Sequence, residues 1–135
     1  MAIYNWRDEY SVGIQEIDEQ HKELVKMIDE LYTAMVKQRG QEVLGDIMDR
    51  LAHYCDHHFA AEEALMQAHG YPYYQQHKEI HEKMSARVRA LQHKVKAGGA
   101  DLTMPTSIFL KEWLDKHILG TDRKCAAFLL GRGVQ

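Results

Sequence analysis

A chain of 135 residues, 45% hydrophobic and 27% charged, suits one compact domain with one core and is ordinary for a soluble globule. A net charge of −3 without any lysine- or arginine-rich run, although Arg87 and Arg89 sit together, argues against a nucleic-acid surface. No stretch approaches the ~20 apolar residues of a membrane span, and the opening MAIYNWRDEY lacks the basic flank and apolar run of a signal peptide.

Met1 to Gly13 reads as an irregular arm whose large side chains, Tyr4, Trp6, Tyr10 and Val12, pack across a bundle end. A first helix is predicted from about Gln15 to Arg39, ending before Gly40. Its apolar stripe is Ile17, His21, Leu24, Ile28, Leu31 and Met35, with Val25 and Tyr32 beside it, so His21 faces the core. A second helix runs from about Gln41 to His69 and stops at Gly70. Its stripe is Leu44, Ile47, Leu51, Tyr54 or Cys55, His58, Glu62 and Leu65. A glutamate on a buried stripe is costly unless paired or bound to a cation; its neighbour Glu63 is expected to point into solvent. Tyr71 and Pro72 then make a tight turn.

The third helix runs from Tyr74 to about Ala97, before Gly98 and Gly99. Tyr74, His77, His81, Met84, Val88, Leu91 and Val95 recur at alternating steps of 3 and 4, one face of an amphipathic helix. His77 and His81 lie one above the other on that face. Thr103 is the expected N-cap of a fourth helix reaching about Leu119, with Met104 and Pro105 in its first turn and Thr106, Leu110, Trp113 or Leu114, and His117 as its stripe. Gly120 is expected to break this helix. Asp122 lies five residues after His117, off α-helical register, and a turn at the glycine would let it reach back. A last short helix, about Asp122 to Leu130, carries Ala126, Phe128, Leu129 and Leu130 and caps the end. The whole predicts an all-α fold: an antiparallel up-down-up-down four-helix bundle with an N-terminal arm and a short C-terminal helix, one domain over residues 1–135.

Histidine is the compositional outlier, with nine in the chain. His53, His57 and His93 fall off the stripes and read as surface residues; His69 sits at a helix end, where a cation suits the dipole. The other five, His21, His58, His77, His81 and His117, lie on stripes of all four helices. In an antiparallel bundle the starts of odd helices meet the ends of even ones. His21, His77 and His81 lie early in odd helices, and His58, Glu62 and His117 lie late in even ones, so all converge near one end. Two histidines four apart on one apolar face already favour a metal chelate over a lone core histidine.

Five imidazoles and two carboxylates exceed the four ligands of a structural zinc. They suit two octahedral ions of about six positions each. The histidines fill five positions, Glu62 and Asp122 as bridges fill four, and a bridging oxo or hydroxo group fills two, leaving one open. An odd histidine count places that opening on one metal only, the arrangement of a site that binds a small molecule end-on. Imidazole-rich ligation favours iron, copper, nickel or zinc over magnesium or calcium, and carboxylate bridges favour iron. HKEIH is not H-E-x-x-H, because Glu79 is not at the second position. The Glu-x-x-His pairs of carboxylate-rich di-iron bundles are also absent, since Glu79 and Glu82 leave the stripe. Cys55 and Cys125, in no C-x-x-C pair, read as reduced, partly buried thiols of a cytoplasmic protein.

The segments VGIQEIDEQHKEL, HHFAAEEALM, GYPYYQQHKEIH and FLKEWLDKHILGTD resemble the hemerythrin family, the bacterial single-domain hemerythrins (bacteriohemerythrin) in particular, from Trp6 to about Leu130. The resemblance implies that His77, His81 and His117 hold one iron and that His21 and His58 hold the other, which has the open position. Glu62 and Asp122 would bridge. It implies reversible dioxygen binding for storage, delivery or sensing, with azide and similar small anions as ligands of the oxidised form. Leu24, Phe59, Trp113, Leu114 and Ile118, one turn from the ligands, would line an apolar oxygen pocket that limits proton and anion entry. Two positions depart from the family pattern: Cys125 stands where a tyrosine is common, and Met84 where an aromatic is common, which implies a looser, more oxidisable pocket. The competing expectations are a di-iron oxidase, peroxidase or nitric oxide reductase, and an iron-handling or repair protein. Histidine-rich ligation and the lack of an acid–base residue in the pocket favour oxygen binding.

Overall fold

The computed structural model describes residues 5–98 and 101–135; the expectations for Tyr4 and Gly99 lie outside them. A single 3₁₀ turn, Asp8–Tyr10, precedes α1 (Gln15–Val36), α2 (Gly40–Ala68), α3 (Tyr74–Ala97) and α4 (Thr103–Glu112). A π-helical segment, Trp113–Asp122, leads without interruption into α5 (Arg123–Gly131). The described residues contain no strand, and the long helices form the expected antiparallel four-helix bundle with a short C-terminal helix. No helix among them is long and apolar enough to cross a membrane.

The stripes face inward. Ile17, Leu24, Ile28 and Leu31 of α1 and Leu44, Ile47 and Leu51 of α2 are buried, as are Leu110 and Leu114. On α3 only His77, His81 and Val88 are buried among the stripe; Leu91 and Val95 pack at the edge of the core. Helix α2 packs most extensively, against α3 and α1, and α4 lies against α1. The main core fills the bundle centre. A second, smaller cluster of Val12, Ile14, Met66, Tyr71, Cys125 and Leu129 closes the histidine-rich end. The arm is tied down there: Tyr10 and Val12 are buried, Trp6 packs on the main core, and the Val12 N–H donates to Asp18 Oδ1 at 2.8 Å. Of the last helix, Ala126 and Leu129 are buried, whereas Leu130 is exposed.

Several boundaries differ from those expected. Helix α1 stops at Val36 rather than Arg39, because Gln38 turns left-handed at φ 59° and the Arg39 N–H bonds to Ala34 O at 2.7 Å, closing the last carbonyls. Gly40 does not terminate α1; it opens α2, where a β-carbon would run into the Thr103 side chain. Thr103 is the first residue of α4 and not its cap: its N–H donates to Asp101 Oδ1 at 2.9 Å, so Asp101 satisfies the helix start. Gly120 does not break the chain. The helix widens to the i→i+5 pattern across Trp113–Asp122, with no positive φ at Gly120.

Candidate metal centre

The π-helix solves the register problem that spacing alone poses. With five residues to a hydrogen-bonded turn, His117 and Asp122 stack on one face, and His117 Nε2 lies 3.0 Å from Asp122 Oδ1. No glycine turn is needed. On α3 and α2 ordinary α-helical spacing does the same for His77 with His81 and for His58 with Glu62.

All seven side chains expected at the site are buried together at one level of the bundle. Ligating atoms of Glu62, His77, His81, His117 and Asp122 lie within 4.8 Å of one another, and so do those of His21, His58, Glu62 and Asp122. Both carboxylates belong to both groups. Asp122 turns one oxygen to each: Oδ2 lies 3.0 Å from His21 Nε2, while Oδ1 lies 3.0 Å from His77 Nε2 and from His117 Nε2. Glu62 Oε1 lies 2.8 Å from His58 Nε2 and 3.5 Å from His81 Nε2, one imidazole of each group. His53, His57 and His93 are exposed, and His69 is half-buried at the end of α2, outside both groups.

The charges are arranged for a cation. Burial and mutual repulsion push the two carboxylates up, yet the imidazoles prevail. His58 and His81 hold Glu62 down at about 2, and His117, His21 and His77 hold Asp122 well below the usual carboxylate range. Burial pulls His21 down, but Asp122, as hydrogen-bond acceptor and as charge, raises it above its ordinary value. Several inward atoms have no hydrogen-bond partner: His58 Nε2, Glu62 Oε1, His81 Nε2 and His117 Nε2. Buried polar atoms left unpaired are costly, and a group of them converging from different helices is what a bound cation satisfies. The donor set, imidazole nitrogen with shared carboxylate oxygen, fits iron.

Two contacts were not expected from the sequence. Glu63 does not point into solvent: its Oε2 accepts a hydrogen bond from His81 Nδ1 at 3.1 Å, and its side chain is only 21% exposed. Gln20 is buried and its Oε1 accepts from His58 Nδ1 at 2.6 Å. A signal existed for Gln20, which is spaced 3 and 4 from Ile17 and Leu24 on the α1 stripe. Glu63 follows Cys55 and Phe59 at steps of 4, a second buried row of α2.

The expected pocket residues Leu24, Phe59, Trp113, Leu114 and Ile118 are all buried in the main core. Phe59 lies flat on His81, with ring centroids 3.9 Å apart and planes 6° from parallel, and is farther from His58 at 5.8 Å. Met84 lines a groove of about 210 Å³ together with Phe109, Trp113 and His117. Cys125 is buried in the smaller cluster, and burial together with the charges of Glu62 and Asp122 pushes its thiol up to about 12. It offers no reactive thiolate near neutrality.

The chain matches the family model for the hemerythrin HHE cation-binding domain over residues 12–129. It is 35% identical to a bacteriohemerythrin of Stenotrophomonas maltophilia over 93% of this chain and 81% of that one. It is 34% identical to one of Methylococcus capsulatus, over 91% and 94%. The fold superimposes on the crystal structure of wild-type hemerythrin with a TM-score of 0.82 at 30% identity, covering 95% of this chain and 98% of that one. The chain therefore belongs to the hemerythrin family.

Proposed function

We propose that this chain, acting as one domain, binds dioxygen reversibly at a di-iron centre held by His21, His58, Glu62, His77, His81, His117 and Asp122. The observation that supports it best is the pair of donor groups sharing both carboxylates. A pair of irons held by these residues would supply reversible electron transfer to dioxygen. The residues do the rest. Asp122 and Glu62 hold the two donor groups at a fixed separation, each placing oxygen beside imidazoles of both. His77, His81 and His117 outnumber His21 and His58, which would leave an open position on the His21–His58 side. Leu24, Leu114 and Ile118 wall the site with apolar surface and exclude water and anions, so that dioxygen leaves as it came. Oxygen storage, delivery or sensing in the cytoplasm is the role this supports, with azide and similar anions as ligands of the oxidised form. The test is anaerobic iron loading, metal analysis, and oxygen titration followed optically. Two irons per chain and a band that appears with oxygen and vanishes under vacuum are expected. One iron per chain, or oxygen consumed continuously without an oxygenated form, would overturn the proposal.

A further inference from the structure

Two of the five inward histidines are clamped in the same way. His58 stacks against Tyr54, with centroids 5.0 Å apart and planes 14° from parallel, and its Nδ1–H donates to Gln20 at 2.6 Å. His81 stacks against Phe59 and its Nδ1–H donates to Glu63 at 3.1 Å. In each case an aromatic face fixes the plane of the ring, an acceptor fixes its rotation, and Nε2 is left turned inward toward Glu62. The clamps differ in charge: Gln20 is a neutral amide and Glu63 a carboxylate. For the remaining three, His21, His77 and His117, Nδ1 has no hydrogen-bond partner among the described residues. The asymmetry is therefore confined to this pair, one member on each side of the centre.

We propose that Glu63 is a positioning residue that places a hydrogen-bonded carboxylate behind His81 in one half of the centre, orienting that ring and biasing the iron of that half toward the ferric state. This rests on the di-iron proposal above. An anionic acceptor draws the Nδ1 proton and raises the electron density at Nε2, which makes the imidazole a stronger donor to a more highly charged metal. Hydrogen bonds to charged acceptors are roughly twice as strong as neutral ones. Glu63 reaches the protein surface where it sits. It lines an open groove of about 430 Å³ between α2 and α3 and is partly hydrated, and the nearby Arg89 is engaged with Asp56 at 3.0 Å, not with Glu63. Gln20, on the other half, is buried beneath α1 and α2, where a charge would be costly. The half that would carry the open position thus has no anionic partner of this kind. It is the easier half to hold ferrous, the state that receives oxygen.

The experiment uses the full chain, loaded anaerobically with ferrous iron, as wild type, Glu63→Gln, Glu63→Ala and Gln20→Glu. Iron is counted first. Wild type that fails to take up two irons defeats the di-iron proposal itself, before any statement about Glu63 is tested. Midpoint potentials then follow by spectroelectrochemical titration. Glu63→Gln keeps an acceptor oxygen and removes the charge. It should retain both irons while shifting the one-electron equilibrium at least tenfold toward ferrous, about 59 mV upward. Glu63→Ala removes acceptor and charge, and should weaken the binding of one iron about 10- to 100-fold. Gln20→Glu should move the potential downward, the opposite sign. If that variant fails to fold, the two Glu63 variants decide. A Glu63→Gln protein with two irons and an unchanged potential, or a Glu63→Ala protein that binds iron like wild type, overturns the proposal.

Discussion

Of the seven donor residues now seen together, each stands on an apolar stripe or five residues beyond one, which is why the site was legible in the sequence. Spacing reports where a β-carbon points. It does not report how far a glutamate or glutamine can bend, and so Glu63 was placed in solvent and Gln20 passed over. The structure separates the two adjacent glutamates by role. Glu62→Ala removes an oxygen shared by both donor groups, the one beside His58 Nε2 and His81 Nε2; both irons should be lost on gel filtration. Glu63→Ala removes an acceptor behind one imidazole only, and a single iron should become labile. Equal loss of iron in the two variants would mean that Glu62 does not bridge. Leu114 is fully buried on the face of the π-helix that carries His117 and Ile118. Leu114→Ala should leave iron content unchanged but hasten autoxidation of the oxygenated form and quicken azide binding, at a stability cost of about 2–5 kcal/mol for the cavity. Decay of the oxygenated band in the two proteins at equal iron loading is the measurement; identical rates would leave Leu114 a core residue only.

At the scale of the element, α3 ends where its sequence predicts because Gly98 follows it at φ 77°. The π-helix was not foreseen. A sequence rule of period 3.6 has no place for an i→i+5 turn, and a glycine inside an apolar pattern is ordinarily a stop. The aligned donors at positions 117 and 122 give the wider turn a reason: the insertion brings Asp122 over His117 without breaking the helix. The two glycines should accordingly respond in opposite ways to alanine. Gly120 is exposed, carries no positive φ, and a β-carbon there meets nothing within 4 Å. Gly120→Ala should raise stability by up to about 1 kcal/mol, the helix-propensity difference, with iron retained. Gly40→Ala must push Thr103 aside where α2 begins against the start of α4, and should cost about 1–3 kcal/mol as overpacking. Thermal melts of the two metal-free variants check this. Loss of iron in Gly120→Ala would show that the glycine is needed for the wide turn.

For the whole molecule, the antiparallel order was legible because short connections leave few other arrangements, and order alone sets the level at which donors from different helices meet. What order cannot reveal is the electrostatic balance at that level, which emerges only when side chains from every helix are placed. In the metal-free protein two carboxylates are depressed and one histidine is raised. A depressed carboxylate stabilises the fold above its unfolded pKa, and the contribution is lost as pH falls through the folded value, about 2 for Glu62 against 4.5. A raised histidine does the reverse: His21 stabilises below 6.5 and the contribution is lost as pH climbs through its raised value. Metal-free protein should therefore be most stable between roughly pH 4.5 and 6.5 and melt at lower temperature both in stronger acid and at alkaline pH. Iron bound at these donors would take the place of the proton at His21 and supply positive charge beside the carboxylates. The loaded protein should lose the alkaline decline, since its ligands must be deprotonated to bind, and should be acid-sensitive as protons compete for them. At a free metal concentration 1,000 times Kd the added stability is about 4.1 kcal/mol, visible as a rise in Tm near pH 8 that shrinks toward pH 5. The comparison is a set of thermal melts of both forms across that range. Parallel profiles for the two forms would show that the imidazoles and the carboxylates of Asp122 and Glu62 satisfy one another, and that no metal replaces the proton at His21.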